Sequence, residues 1–189
     1  MELYAVLKNM GHPLTKISES KKILNKMKTR EIDIPLYMKT LFVACNNGFQ
    51  DVIRTMLYKF QGDLPTMTKL INCRNEYNDT PLIVASDDGH DHVVRTLLET
   101  TFTFKLELDI NAKNDFGLTA ISAACYHSST KYHNIIRLLL RNGADPYIEC
   151  AAYINAFQNA RRQKNYDALS ILLANYPQNN QIIQLYQNN

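Results

Sequence analysis

The stretch from Thr80 to Leu98, TPLIVASDDGHDHVVRTLL, predicts two short helices joined by a tight turn. The Thr80 hydroxyl can accept a hydrogen bond from an unpaired backbone N–H, and Pro81 suits the first helical position, where its missing N–H costs nothing. We expect Gly89 to end the first helix by taking a positive φ, which other residues resist. Apolar residues then recur at helical spacing and predict a second helix from Asp91 or the residue before it: Val93, Val94, Leu97 and Leu98.

Three further stretches repeat this pattern. Residues 39–57 read KTLFVACNNGFQDVIRTML, residues 119–140 read TAISAACYHSSTKYHNIIRLLL, and residues 155–173 read NAFQNARRQKNYDALSILL. Internal similarity of this kind is typical of repeat proteins, in which each unit packs on its neighbours. Turn residues before the second and third units predict tight hairpins at 75–78 (NEYN) and 114–117 (NDFG). The longest insertion, residues 58–70, follows the first unit.

Motifs that recur in register resemble those of ankyrin-repeat proteins: Thr80-Pro81-Leu82, Gly89-His90, Asp109-Ile110-Asn111-Ala112 and Asn142-Gly143-Ala144-Asp145-Pro146. The resemblance implies an all-α solenoid of helix-turn-helix units joined by short hairpin loops. It also implies that His90 forms a hydrogen bond within the scaffold. The chain departs from the pattern at Lys39-Thr40, where Thr-Pro is usual, and at Lys164, where glycine is usual.

The chain divides into three expected parts. Residues 1–31 form a basic helical cap or degenerate repeat, residues 32–174 form an ankyrin-repeat domain of about four repeats, and residues 175–189 form an Asn/Gln-rich tail. Helical spacing in the first part favours the cap over a flexible basic arm, through Leu3, Val6, Leu7 and Met10 and then Ile23, Leu24 and Met27. The apolar residues of the tail allow either a last helix or a frayed end: Ile182, Ile183, Leu185 and Tyr186.

The charge distribution argues against nucleic-acid binding by the body of the protein. The net charge is +3, and the first 31 residues carry seven basic and three acidic residues, whereas the remaining 158 carry 14 and 15. A nearly neutral body lacks the basic surface that phosphate backbones require. The chain has no apolar run long enough to cross a bilayer and no secretory signal, so we expect no membrane contact and a cytoplasmic location, or the host cytosol for an exported effector.

The sequence predicts no catalytic, cofactor or metal site. His90 and His92 are two residues apart, on different sides of a helix, whereas a helical zinc pair needs a spacing of three or four. Cys125 lies in an apolar stripe, which is unsuited to an activated thiolate, and its separation from His127 is also two. The four cysteines form no CxxC pair, and we expect all four to be reduced.

The resemblance implies a protein-binding surface at the hairpin tips and the ends of the first helices. Acidic and aromatic residues stand side by side there, as an interface anchor and its polar rim require. We therefore predict a monomeric scaffold that binds another protein on its concave surface, without a small-molecule substrate. The predicted contact residues are Asn46, Asn47, Glu76, Tyr77, Asp79, Asp87, Asp88, Asp115, Phe116, Leu118, Tyr126 and His127.

Two alternatives remain open. An enzyme would need a pocket built by the inserted loops, above all residues 58–70, which hold Asp63 but no His or Cys. A membrane or nucleic-acid contact would use the basic residues 1–31. The abundance of Asn, Gln, Lys, Ile and Tyr resembles that of effectors of intracellular bacteria and of ankyrin proteins of large DNA viruses.

Overall fold

The computed structural model describes residues 2–8 and 13–175. These residues form eleven α-helices, a short 3-10 turn at Thr29–Glu31 and no strand, which confirms the all-α prediction. The helices are α1 Glu2–Lys8, α2 Pro13–Lys26, α3 Ile34–Asn46, α4 Gln50–Tyr58, α5 Leu64–Ile71, α6 Pro81–Asp87, α7 Asp91–Phe104, α8 Ala120–Tyr126, α9 Lys131–Arg141, α10 Ala156–Arg162 and α11 Tyr166–Asn175.

Four helix pairs form the predicted repeats. They are α3 with α4, α6 with α7, α8 with α9, and α10 with α11, and in each pair the two helices pack together. First helices pack on first helices along the series α3, α6, α8 and α10, and second helices do the same along α4, α7, α9 and α11. One continuous hydrophobic core therefore runs through the stack.

The N-terminal helices continue this arrangement. α1 packs on α3, and α2 packs on α4. Leu3, Leu7 and Leu24 are buried in the common core. The division at residue 31 stays a prediction, but the described helices of this segment pack on the first repeat. Met10 and residues 176–189 lie outside the described residues.

The helix boundaries follow from caps and left-handed turns. The Thr80 hydroxyl accepts a hydrogen bond from the backbone N–H of Ile83 at 3.2 Å, which confirms the predicted N-cap. Gly48 and Gly89 end the first helices of two repeats with φ of +69° and +76°. Lys164 takes the equivalent conformation in the last repeat, with φ of +54°, although glycine is the residue that suits it.

The first repeat begins earlier than the sequence alignment indicates. Asp33 caps α3, because its carboxylate accepts a hydrogen bond from the N–H of Leu36 at 3.4 Å, and Pro35 lies in the first turn. Lys39 and Thr40 therefore lie inside the helix, where no cap is needed. The Thr40 hydroxyl instead donates to the Leu36 carbonyl at 2.7 Å.

The inserted segment at 58–70 is not the loop that we expected. Its second half is nearly the whole of α5, which Asp63 caps by accepting a hydrogen bond from the Thr66 N–H at 3.1 Å. Met67, Leu70 and Ile71 are buried, so that burial of one apolar face stabilises this helix. The next repeat is also longer, since α7 continues to Phe104.

Hydrogen bonds between repeats hold the ends of the first helices. The His90 Nε2 lies 2.9 Å from the Asn46 carbonyl oxygen of the preceding repeat, which confirms the scaffold role that we predict for this histidine. The Lys131 ammonium donates to the Asp88 carbonyl at 2.9 Å. The Asn165 side-chain amide donates to the His127 carbonyl at 2.7 Å. In these three repeats, the start of the second helix thus satisfies a carbonyl at the end of the first helix of the preceding repeat.

Candidate protein-binding groove

A groove of about 1100 Å³ lies between the hairpins and the first helices of the stack. Eight of the twelve predicted contact residues line it: Asn46, Glu76, Tyr77, Asp79, Asp87, Asp88, Phe116 and Leu118. The other four, Asn47, Asp115, Tyr126 and His127, do not. We call this feature the binding groove.

Two tight turns position the hairpin residues of the groove. Each turn is closed by a backbone hydrogen bond, from Asn75 N to Asp79 O at 3.1 Å and from Asn114 N to Leu118 O at 3.0 Å. The side-chain oxygens of the two asparagines also accept hydrogen bonds from backbone N–H groups two and four residues further on. This is the Asx-turn chemistry that makes asparagine common in turns. Each turn also contains one residue with a positive φ, Asn78 in the first hairpin and Gly117 in the second.

The hairpins are also joined to each other. The Asp115 N–H donates to the Tyr77 carbonyl at 3.1 Å, and the Ala151 N–H donates to the Phe116 carbonyl at 3.0 Å. The carboxylate of Asp79 accepts a hydrogen bond from the side-chain amide of its own hairpin at 3.1 Å and from that of the next hairpin at 2.8 Å. The backbone at each tip is therefore fixed by its neighbour. Asp79 contributes to the groove mainly by holding the two hairpins together.

Two aromatic rings at the tips are exposed. Tyr77 is 55% exposed and Phe116 is 60% exposed, although both belong to rigid turns. Further apolar side chains line the same groove, among them buried Phe42 and Ile83 and the partly buried Met38. The groove thus combines exposed aromatic side chains with an apolar wall. This combination is typical of the centre of a protein interface.

The end of α6 carries the acidic side of the groove. The Asp87 carboxylate lies 2.8 Å from the Nε2 of His127, whose ring stacks on Tyr132 with centroids 4.4 Å apart and planes inclined by 11°. The Tyr132 hydroxyl donates to the Asp87 carbonyl at 2.9 Å. Partial burial raises the pKa of Asp88 above its ordinary value. His127 therefore contacts Asp87 but does not itself line the groove.

Sequence reasoning missed the N-terminal end of the groove. Tyr4 and Lys8 on α1 line it, and the Lys8 ammonium lies 3.1 Å from the Tyr4 hydroxyl. Arg74, just before the first hairpin, also lines it and donates to the carbonyls of Asn78 and Lys113 at 2.8 and 2.6 Å. The contribution of α1 depends on how this helix packs on α3, and no repeat motif indicates that packing.

The thiol that we considered for catalysis lies in the hydrophobic core. Cys125 is completely buried, and burial raises its thiol pKa well above the ordinary value. Burial also raises the pKa of Cys73 to about 12. All four cysteines are free thiols. Within the described part of the chain, no three His, Cys, Asp or Glu side chains gather as a metal site would require, and no helix is long and apolar enough to cross a membrane.

Comparisons with known proteins agree with this architecture. A family model described as "Ankyrin repeats (3 copies)" matches residues 41–150, more than half of the chain. The "Ankyrin repeat and KH domain-containing protein mask-1" of Caenorhabditis elegans is 32% identical over 94 residues, which cover 50% of this chain and only 3% of that protein. A crystal structure of an ankyrin repeat domain from Acinetobacter baumannii AYE is 24% identical and superimposes with a TM-score of 0.67, covering 86% of this chain and 76% of that one. The chain belongs to the ankyrin-repeat family.

Proposed function

We propose that this chain is a scaffold that binds a segment of another protein in the binding groove. Ankyrin repeats are generally protein–protein interaction modules and typically lack enzymatic activity. The observation that carries the proposal is the pair of exposed rings, Tyr77 and Phe116, at equivalent places in successive rigid hairpins.

The two rings are suited to be anchors because the backbone that carries them is already fixed before a partner arrives. The hydrogen bonds between the hairpins hold the backbone on both sides of each ring, so binding requires little ordering of the chain. A partner that covers the rings would remove a large apolar area from water. Aromatic residues of this kind often dominate the binding free energy of an interface.

The acids at the end of α6 set the polar chemistry of the partner. Glu76, Asp87 and Asp88 line the groove beside the rings, whereas Asp79 already uses both carboxylate oxygens within the hairpins. We expect the partner segment to place apolar residues against Tyr77 and Phe116 and a lysine or arginine toward the α6 acids.

The experiment compares the wild type with the double variant Tyr77→Ala, Phe116→Ala as bait in eukaryotic cell lysate, read by mass spectrometry. A eukaryotic lysate is the first choice because the composition resembles that of exported effectors. Proteins that the wild type captures and the double variant loses are then tested with purified components. We expect at least roughly tenfold weaker binding, about 1.4 kcal/mol, with little change in melting temperature because both rings are largely exposed.

The matched control is Arg95→Ala with Arg137→Ala, two exposed positions on the second helices α7 and α9. This variant should bind like the wild type. Loss of binding in the arginine variant with normal binding in the aromatic variant would assign the partner to the second-helix face. Normal binding by the aromatic variant, with loss of binding and of its salt dependence when the exposed Lys22 and Lys26 on α2 are changed to alanine, would favour the basic N-terminal contact instead.

A further inference from the structure

The two insertions meet on a different part of the molecule. α5 and the last turns of α7 are both additions to the repeat pattern. The ring of Tyr58, at the end of α4 just before the first insertion, packs edge to face on that of Phe104 at the end of α7, with centroids 5.1 Å apart. The Asn72 side chain fixes the loop that follows α7. It donates to the Glu107 carbonyl at 2.7 Å and accepts from the Asp109 N–H at 2.9 Å. The insertions therefore form one continuous surface.

This surface contains a groove of about 680 Å³, which we call the insertion groove. It shares no lining residue with the binding groove. Its apolar lining includes Leu98, Leu106, Leu108 and Ile110 together with Phe102. Phe102 is 86% exposed, more than any other large hydrophobic side chain that the structure describes.

Phe102 is held on a firmly closed helix end. Lys105 adopts a left-handed conformation with φ of +51°, its N–H donates to the Phe102 carbonyl at 3.4 Å, and the Leu106 N–H donates to the Thr101 carbonyl at 3.0 Å. This pair of hydrogen bonds is the Schellman arrangement that terminates helices. An exposed phenylalanine at a fixed position adds almost nothing to folding stability. It is, however, suited to recognition.

The charges of the insertion groove define the kind of partner. Its charged lining residues, among those described, are Glu107 and Asp109, both exposed. Lys69 and Lys105 belong to the same insertions but do not line it. We propose that the insertion groove binds a basic amphipathic helix of a partner protein. The apolar face of that helix would pack against Phe102, with lysine or arginine toward the two carboxylates.

The test uses two labelled helical peptides of about five turns, one of leucine and lysine and one of leucine and glutamate. Fluorescence anisotropy with the full chain should show binding of the basic peptide and much weaker binding of the acidic one. Phe102→Ala should weaken the basic peptide at least roughly tenfold, about 1.4 kcal/mol. The double change Glu107→Lys, Asp109→Lys should reverse the preference between the peptides.

Two controls separate this surface from the rest of the molecule. Tyr166→Ala removes another exposed ring, 70% exposed at the start of α11, and should bind the basic peptide normally. Because the binding groove also offers exposed rings and acids to such a peptide, Phe102→Ala is compared with its parent in a chain that carries Tyr77→Ala and Phe116→Ala. The loss of binding caused by Phe102→Ala should persist in that chain, so the two proposals can fail independently. Equal binding of both peptides, or unchanged binding by Phe102→Ala, would overturn the inference. Sedimentation that shows a wild-type dimer dissociated by Phe102→Ala would overturn it as well, since the occupant would then be a second copy of the chain.

Discussion

Replacing the glycines of the left-handed turns with valine should show how much each turn contributes to the stability of the stack. Gly89 has φ of +76°, and a β-branched residue forced into this region costs about 1–3 kcal/mol. A Cβ at Gly89 would also lie 2.5 Å from the Cε of Lys131, so the lysine must move. Its hydrogen bond to the Asp88 carbonyl would then be lost, at about 0.5–1.5 kcal/mol. Gly89→Val should therefore lower the free energy of unfolding by about 2–4 kcal/mol.

Gly48→Val should cost at least as much for a specific reason. A Cβ there would lie 2.7 Å from the Nδ1 of His90, and an imidazole ring can adjust less than the end of a lysine side chain. The ring also bonds to the Asn46 carbonyl, so moving it breaks a contact between repeats.

Lys164 offers the matched experiment in the opposite direction. A non-glycine residue in the left-handed region carries about 1–2 kcal/mol of strain, and glycine loses about 0.5–1 kcal/mol more backbone entropy on folding. Lys164→Gly should thus stabilise the chain by up to about 1 kcal/mol, the difference between these two contributions.

Urea unfolding, followed by far-ultraviolet circular dichroism, measures all three variants, provided that the slope against urea is unchanged. If both valine variants unfold at the wild-type urea concentration, the turns are not rigid determinants of the stack, and the reasoning from positive φ fails. A Lys164→Gly variant that is less stable than wild type would show that the lysine side chain makes a favourable contact which outweighs its strain.

Two further predictions follow from burial. Native Cys125 should react with a thiol reagent far more slowly than in the urea-unfolded chain, and more slowly than the partly exposed Cys150; equal native rates would place Cys125 at the surface. Asp88→Asn should stabilise the protein at neutral pH, because burial raises the folded-state pKa of Asp88 and the charge lies at the C-terminal end of α6. The folded state then binds the proton more tightly than the unfolded state, so the gain should disappear as the pH falls through the folded-state pKa toward the ordinary value of an aspartate. A variant that is less stable than wild type at neutral pH would mean that the pairing of Asp88 with nearby cations outweighs its desolvation.

The repeat pattern correctly predicts where a helix begins and ends when the cap and the turn glycine stand at their usual positions. Thr80 and Gly89 mark the beginning and end of α6 because a cap and a left-handed turn have a local cause that is visible in the sequence. The pattern misplaces the start of α3, since alignment to the later units draws attention to Lys39. The signal that decides the matter, Asp33 followed by Pro35, lies outside the aligned stretch.

The same limitation explains α5 and the insertion groove. Asp63 and Pro65 are a cap and an early-turn proline, so the helix is signalled locally, but no template repeats it elsewhere in the chain. Phe102 and Phe104 are close in sequence, and yet one is exposed and the other packs against Tyr58. The difference in exposure between the two rings arises only from packing between segments of different repeats. Local pattern carries no information about such a contact.

Within each hairpin, some residues hold the neighbouring hairpin in place and others expose their side chains. Asp79 links two hairpins through its carboxylate, and a Cβ at Gly117 would lie 2.7 Å from the backbone nitrogen of Ala151. These two positions set the spacing between hairpins, so changes there should disturb the stack itself. Tyr77 and Phe116 share the same turns but expose most of their rings, and packing places little restriction on them. The sequence places Tyr77, Phe116 and Gly117 in the two predicted turns and Asp79 directly after the first of them. The structure separates the two that hold the hairpins together from the two whose rings stay exposed.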